Sequence, residues 1–234
     1  MAGAPPGTLE AGKVRAMFDR IASLYDVMNT VMTAGLHHRW RARAVTAAGV
    51  GSGSRVLDVA TGTGDLAIAL ARVVGPDGEV VGVDFSEPML ARARRKAPGL
   101  RFEWADALAL PYASDSFDAA TVGFGARNFA DLGRGIEEMV RVVRPGGRVV
   151  ILEITQPTRE PFASFYRGWF DRVVPTLGRV AGDSDAYSYL PSSVRRFPAP
   201  RELAAAMERC GLQRIAYVLT AGGIIAIHRG EVAA

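Results

Sequence analysis

The stretch Arg55-Val56-Leu57-Asp58-Val59-Ala60-Thr61-Gly62-Thr63-Gly64-Asp65 constrains the fold more than any other part of the chain. An apolar run passes through a glycine-rich turn into the helix-like run Leu66 to Val74. Strand, tight loop and helix in that order form the opening unit of a parallel α/β sheet. Gly62 and Gly64 permit close backbone approach and unusual dihedral angles at the turn. Open α/β sheets bind ligands here, beyond the carboxyl end of a strand. The next apolar run, Glu79 to Val83, ends in Asp84. An acid at the tip of a second strand is placed to hold two ribose hydroxyls.

Two cofactor classes use this layout. Gly62-x-Gly64-x-x-Ala67 fits the dinucleotide fingerprint, with Asp84 at the expected distance of about 20 residues. The local charges argue against that class. Asp58 and Asp65 flank the loop and no cation lies inside it, whereas a pyrophosphate needs free N–H groups and positive potential. S-adenosylmethionine carries no phosphate, and its sulfonium and ammonium groups favour nearby acids. The methyl donor is therefore preferred to a nicotinamide dinucleotide. A tight turn without any ligand accounts for the glycines but not for acids at two strand tips.

The rest of the chain repeats the alternation. Val14 to Val31 has helical periodicity and leads into a mixed segment from Tyr25 and Asp26 through His37-His38-Arg39-Trp40. That segment reads either as a helical pair packed on the sheet or as a lid over the site. Gly75-Pro76-Asp77-Gly78 is a turn. Ser86 is placed to cap the helix Glu87 to Ala97, with Pro88 in its first turn. Strand three, Arg101 to Trp104, ends at Asp106-Ala107, where a carboxylate and a neighbouring backbone N–H match the edge of adenine. A plain turn is the structural alternative for Asp106. Strand four, Phe117 to Val122, ends at Gly123-Phe124-Gly125-Ala126-Arg127-Asn128, which faces the donor's methyl group in this layout. Arg127 and Asn128 are candidates for acceptor contact, with a turn-capping arginine as the plainer alternative. Arg144 to Gly147 reads as a turn before strand five, Arg148 to Ile154. An aromatic stretch, Phe162 to Phe170, and the segment Asp183 to Phe197 form an insertion over about 157–198. Two strands joined by a tight turn close the chain, and His228 in the last of them reads as structural.

The expected architecture is α/β: a doubly wound, mostly parallel seven-stranded sheet with helices on both faces. Residues 1–48 form a disordered start and an N-terminal helical lid, and 49–234 the main domain. At 234 residues the chain can bury a full core. No apolar run reaches membrane-span length, and the N-terminus lacks an apolar signal core, which argues for a cytoplasmic protein. The single cysteine, Cys210, fits a reducing compartment. The net charge of +4 is mild and its arginines are scattered, so nucleic acid is not an expected partner. No His, Cys and acid spacing matches a metal site.

Several of these segments carry a resemblance. Tyr25-Asp26-x-Met28-Asn29 running to Gly35-x-His37-x-x-Trp40, and Phe124-Gly125-x-Arg127-Asn128, are specific signatures; Arg144-Pro145-Gly146-Gly147 is a weaker one. Tyr187-x-Tyr189-Leu190-Pro191 and Gly223 to His228 also match. The chain resembles the class I S-adenosylmethionine-dependent methyltransferases, and more narrowly the menaquinone/ubiquinone biosynthesis C-methyltransferases, over nearly its whole length. The resemblance implies donor contacts at Thr61, Asp84, Asp106 and Ala107, with Asp58, Gly62 and Phe85 beside them. It implies an acceptor site of Arg127, Asn128, Tyr25 and Asp26, completed by Tyr189. Two departures stand out. Gly123 replaces a serine often found before the Phe-Gly pair, and His37-His38-Arg39 shifts the family's arginine by one position. The implied reaction methylates a ring carbon of a demethylated isoprenoid quinol, demethylmenaquinol giving menaquinol and S-adenosylhomocysteine. Ubiquinone-pathway or other small-molecule C- or O-methylation is the alternative, and an NAD-dependent oxidoreductase a remote one. An isoprenoid substrate implies transient contact with the inner face of the plasma membrane. A homodimer is left open.

Overall fold

A computed structural model of the chain describes residues 11–21, 30, 33, 35–157, 160–169 and 184–233. The helices are α1 (Ala11–Ile21), α2 (His37–Ala48), α3 (Asp65–Val74), α4 (Glu87–Lys96), α5 (Leu132–Val142), α6 (Phe162–Gly168), α7 (Ser184–Arg196) and α8 (Pro200–Arg209). The strands are β1 (Arg55–Val59), β2 (Glu79–Asp84), β3 (Arg101–Trp104), β4 (Phe117–Gly123), β5 (Val143–Ile154), β6 (Leu212–Thr220) and β7 (Ile225–Val232). They form one sheet in the order β3-β2-β1-β4-β5-β7-β6. The first five run parallel, and β7 lies antiparallel to both β5 and β6. The expected seven-stranded, doubly wound sheet is observed.

Period-2 alternation builds two cores from the same strands. Leu57, Val59, Val81, Val83, Ala120, Val122, Val149 and Ile151 meet Ile136 and Met139 of α5 and Leu203 and Met207 of α8 on one face. Val56, Val80, Ala119, Val150 and Leu152 meet the other face's helices. These supply Trp40, Ala44 and Val45 from α2, Leu66 and Leu70 from α3, and Leu90 from α4. The strand order reverses direction between β1 and β4, and the crevice at that switch point opens above Asp58, Asp84 and Gly123.

Several helix starts follow their local chemistry. Ser86 Oγ accepts from Met89 N at 3.4 Å, and Asp131 Oδ1 accepts from Arg134 N at 3.0 Å, so both side chains satisfy orphan amides of a first turn. The expected turn at Arg144 to Gly147 is instead a bulge inside β5. Phe117 faces Val143 while Ala119 faces Arg148, so five residues of β5 span two of β4. Gly146 at φ 77° makes that possible. The segment Asp183 to Phe197 of the insertion contains a 13-residue helix with Pro191 inside it.

Gly64 shows why the loop at β1 needs glycine. It caps α3 at φ 84°, and a Cβ there would lie 2.9 Å from Phe102 Cζ and 3.1 Å from Ala93 Cβ. Left-handed strain and overpacking together predict that Gly64→Ala lowers the unfolding free energy by about 2–4 kcal/mol. A urea titration reads this as a lower midpoint. An unchanged midpoint would show that the loop relaxes without cost.

Candidate functional site

The crevice holds a cavity of ≈ 290 Å³, the size of a site for one small ligand. Asp58, Thr61, Gly62, Asp84, Phe85, Asp106, Ala107 and Asn128 all line it. The ends of β1 to β4 and the loops after them therefore bring together residues spread over 71 positions from 58 to 128.

The glycine loop is fixed by two buried carboxylates. Thr61 Oγ1 donates to Asp58 Oδ2 at 2.6 Å, and Thr121 Oγ1 on β4 donates to Asp58 Oδ1 at 2.7 Å. Asp58 thus ties the loop to the neighbouring strand. Gly62 N donates to Asp84 Oδ2 at 2.8 Å and Ser86 N to Asp84 Oδ1 at 2.9 Å. Thr61 N reaches Val83 O at 2.9 Å. Burial raises both carboxyls to about 6, against the lowering effect of these hydrogen bonds. A carboxylate has about four acceptor positions, so Asp84 retains capacity for hydroxyl donors from a ligand. The Thr61 proton is committed to Asp58, which leaves Thr61 Oγ1 as an acceptor towards the cavity. Ala60 sits at φ 51°, a left-handed conformation that costs a non-glycine residue about 1–2 kcal/mol.

One end of the cavity is a flat apolar slot walled by Phe85, Met89, Trp104, Ala107 and Leu108. Trp104 is 52% exposed, and its indole N–H is pinned to Phe85 O at 2.9 Å, which fixes the ring. The slot's polar edge is Asp106. Its Oδ1 accepts from Leu108 N at 2.9 Å, the turn geometry that the plainer reading expects, and Oδ2 is the oxygen left for a ligand amine.

The other end differs from the charge picture drawn from the sequence. No cation lies within the loop, but two reach its rim from distant helices. Arg41 of α2 lies 3.3 Å from Asp65 Oδ2, and Lys96 of α4 lies 2.5 Å from Asp65 Oδ1. Burial favours the neutral Asp65, but Arg41 and Lys96 outweigh it and hold the carboxyl below its ordinary range. Arg41 is buried and lines the cavity; Arg39 is exposed on the same helix. The shifted arginine of the histidine segment therefore faces solvent, and the one two residues on enters the site. Helical spacing from buried His37 and Trp40 was the signal for Arg41.

Beyond β4, Phe124 takes φ 62°, a rare conformation for a bulky residue and typical of functional turns. Asn128 faces the cavity, and its Oδ1 accepts from the Tyr189 hydroxyl at 3.2 Å. Arg127 is not among the residues that line the cavity. Its Nη1 lies 2.6 Å from Glu153 Oε1 and 2.6 Å from Phe124 O, with the pair 8% and 1% exposed. Glu153 on β5 had no signal in the sequence, because its role depends on β5 lying beside β4. Tyr25 and Asp26 lie outside the described residues. Among the described residues no group of three His, Cys, Asp or Glu could hold a metal ion.

With this geometry in place, the comparisons with known proteins are direct. A model of the ubiE/COQ5 methyltransferase family matches residues 7–232. The demethylmenaquinone methyltransferase of Thermus thermophilus is 48% identical over 220 residues, covering 92% of this chain and 99% of that protein. The same-named protein of Roseiflexus castenholzii is 46% identical over 230 residues, covering 97% and 96%. The ubiquinone/menaquinone biosynthesis C-methyltransferase of Geobacter sulfurreducens is 42% identical, covering 96% and 90%. Among solved structures, a SAM-dependent methyltransferase of Thermotoga maritima superposes with a TM-score of 0.65 at 18% identity, covering 92% of this chain and 98% of that one. One from Aquifex aeolicus gives 0.58 at 19%, covering 97% and 100%. These two likenesses concern the fold.

The Arg127–Glu153 pair carries its own prediction. Removing one partner of a buried pair leaves the other charge uncompensated, so Arg127→Ala should lower the unfolding free energy by about 3–5 kcal/mol. Denaturant unfolding of the variant measures it. A loss under about 1 kcal/mol, the range of exposed pairs, would contradict the buried pairing.

Proposed function

The chain belongs to the ubiE/COQ5 methyltransferase family, and on that premise we propose that it transfers a methyl group from S-adenosylmethionine to a ring carbon of a demethylated isoprenoid naphthoquinol, giving menaquinol. The observation that carries this reading is the cavity itself: a buried acid at a strand tip, an apolar slot and an acceptor loop, in a chain 48% identical to a demethylmenaquinone methyltransferase.

The side chains present fit this donor. Asp84 would accept the two ribose hydroxyls, Asp106 and the Ala107 N–H would meet the adenine edge, and Trp104, Phe85 and Met89 would cover its faces. Thr61 Oγ1 and the buried Asp58 offer acceptors and negative potential to a cationic group. When bound, the donor supplies an electrophilic methyl group on a sulfonium.

The chain's own contribution is alignment and charge placement, and alignment can lower a barrier by about 7–11 kcal/mol at its upper end. Asn128 is oriented by the Tyr189 hydroxyl, so its Nδ2 is free to donate to a quinol oxygen. A hydrogen bond to that oxygen favours its anion, and the anion places electron density on the adjacent ring carbon. Arg127 acts behind this wall. By bridging Glu153 and the Phe124 carbonyl it holds the loop on which Asn128 sits. Tyr25 and Asp26 would complete the pocket. An isoprenoid tail partitions into a bilayer, and α6 offers Phe162, 46% exposed, as a surface contact. Vesicle co-sedimentation that is unchanged in Phe162→Ser would remove that contact from the reading.

The decisive assay incubates the protein with methyl-labelled donor and a demethylnaphthoquinol and locates the label by mass spectrometry. The reading expects label on the ring carbon; label on a quinol oxygen, or none, overturns it. A benzoquinol methylated in preference points instead to the ubiquinone pathway. Asn128→Ala should lower kcat roughly tenfold to a hundredfold with donor affinity unchanged. An equal loss in donor affinity would move Asn128 from the acceptor to the donor side.

Donor affinity should also depend on pH in a defined direction. Only ionised Asp84 accepts both ribose hydroxyls, and its carboxyl sits at about 6 in the free chain. Above about 6 the affinity for S-adenosylhomocysteine should be level. Below it, binding must release a proton, and the affinity should fall towards tenfold per pH unit. Asp84→Asn should remove that slope, leaving only the share of Asp58. Calorimetry across this range that shows level affinity in the wild-type chain would remove Asp84 from the ribose contact.

A further inference from the structure

We propose that Arg41 binds the carboxylate of the donor's amino-acid arm, and that His37 and Asp65 aim its guanidinium at that group. The inference rests on the donor proposed above and assigns a residue to the part of it that the acids at the strand tips leave unexplained. With the ribose on Asp84 and the base in the slot of Trp104 and Phe85, the amino-acid arm has one direction left. It runs along the glycine loop towards Thr61, Phe124 and Arg41, which line the same cavity. That arm ends in the donor's only anion. The wall already contains the carboxylates of Asp58, Asp65 and Asp84, so an anion entering it without a cation would face repulsion and lost hydration.

Among the described residues two arginines line the cavity, Arg15 and Arg41. Arg15 is on α1, which docks at the adenosine end: the same helix's Asp19 Oδ1 accepts from Ser86 Oγ at 2.5 Å. The Arg15 side chain is 46% exposed and lies 4.0 Å from Asp19. Arg41 is at the loop end, and its side chain is 9% exposed. Charge balance also selects it. Asp65 brings one negative charge to two cations, Arg41 and Lys96, so the cluster keeps one positive charge. Lys96 does not line the cavity, and the unbalanced charge is presented by Arg41.

The guanidinium is held in place. Nη1 donates to His37 Nδ1, Nη2 faces Asp65 Oδ2 at 3.3 Å, and the Phe124 ring lies 5.7 Å from Cζ. A guanidinium only donates, so the Arg41 contact falls on His37 Nδ1 as acceptor, and His37 Nε2 lies 3.3 Å from Thr30 Oγ1. His37 thus orients Arg41. A guanidinium has five N–H groups in a rigid fork suited to carboxylates, and these contacts leave donors for a ligand. The unusual backbone of Phe124 gains a reason: it places a ring face against the arginine.

The test compares three ligands by calorimetry: S-adenosylhomocysteine, its decarboxylated analogue, and 5′-methylthioadenosine, which lacks the arm. The wild-type chain should bind S-adenosylhomocysteine roughly tenfold to a hundredfold more tightly than the decarboxylated analogue, the worth of a charge-assisted hydrogen-bonded pair. In Arg41→Met that preference should vanish while affinity for 5′-methylthioadenosine stays within about twofold. Arg41→Lys should restore part of it. No preference in the wild-type chain overturns the inference whether or not the variant folds. So does an equal loss for all three ligands in Arg41→Met, which marks a structural role. If the wild-type chain binds none of the three, the donor assignment itself fails and takes this inference with it.

Discussion

The site depends on the hydrogen bond from the Gly62 amide to the buried carboxylate of Asp84. It joins the loop after β1 to the tip of β2 and sets the floor of the cavity. Asp58 does the corresponding work on the other side, joining the same loop to β4 through Thr61 and Thr121. Burial penalises both carboxylates, and each is held at the edge of neutrality near 6. Groups so placed gain most from a ligand that donates hydrogen bonds or carries positive charge. The same burial gives the site its selectivity, because an anion meets the carboxylates of Asp58 and Asp84 along the cavity floor.

The strain in the loop fits this picture. Ala60 and Phe124 both take left-handed backbone without being glycine, and they sit on either side of the crevice. A Cβ at Gly125 would lie 2.6 Å from Ala60 Cβ, so these two loops are in contact and constrain each other. The core beneath is rigid enough to hold them, with the strand residues of both clusters almost fully buried. Local cost at the strand tips is thus offset by packing below them.

Much of the fold was legible because it rests on local rules. Period-2 apolar runs gave the strands, Ser86 marked a helix start, and the glycines marked the loop. Asp84, Asp106 and Asn128 could be placed because each lies at a strand end or within five residues beyond it. What escaped the sequence depends on neighbours far along the chain. Arg41 and Lys96 meet Asp65 only because α2 and α4 both pack beside α3. Arg127 stood out as an acceptor residue, yet its guanidinium is paired with Glu153, 26 positions on. The Pro-Gly-Gly segment looked like a turn because its residues are turn formers, and only the pairing of β5 with β4 makes it a bulge. Two cations, Arg41 and Lys96, do reach the loop's rim, and Asp65 balances one of the two charges.

A crystal structure of the chain grown with S-adenosylhomocysteine tests the central claim most directly. The account predicts both ribose hydroxyls on the Asp84 carboxylate, with the Gly62 amide contact kept and the base beside Trp104 and Asp106. A sugar bound elsewhere, or an Asp84 side chain turned out of the cavity to admit the ligand, would contradict it.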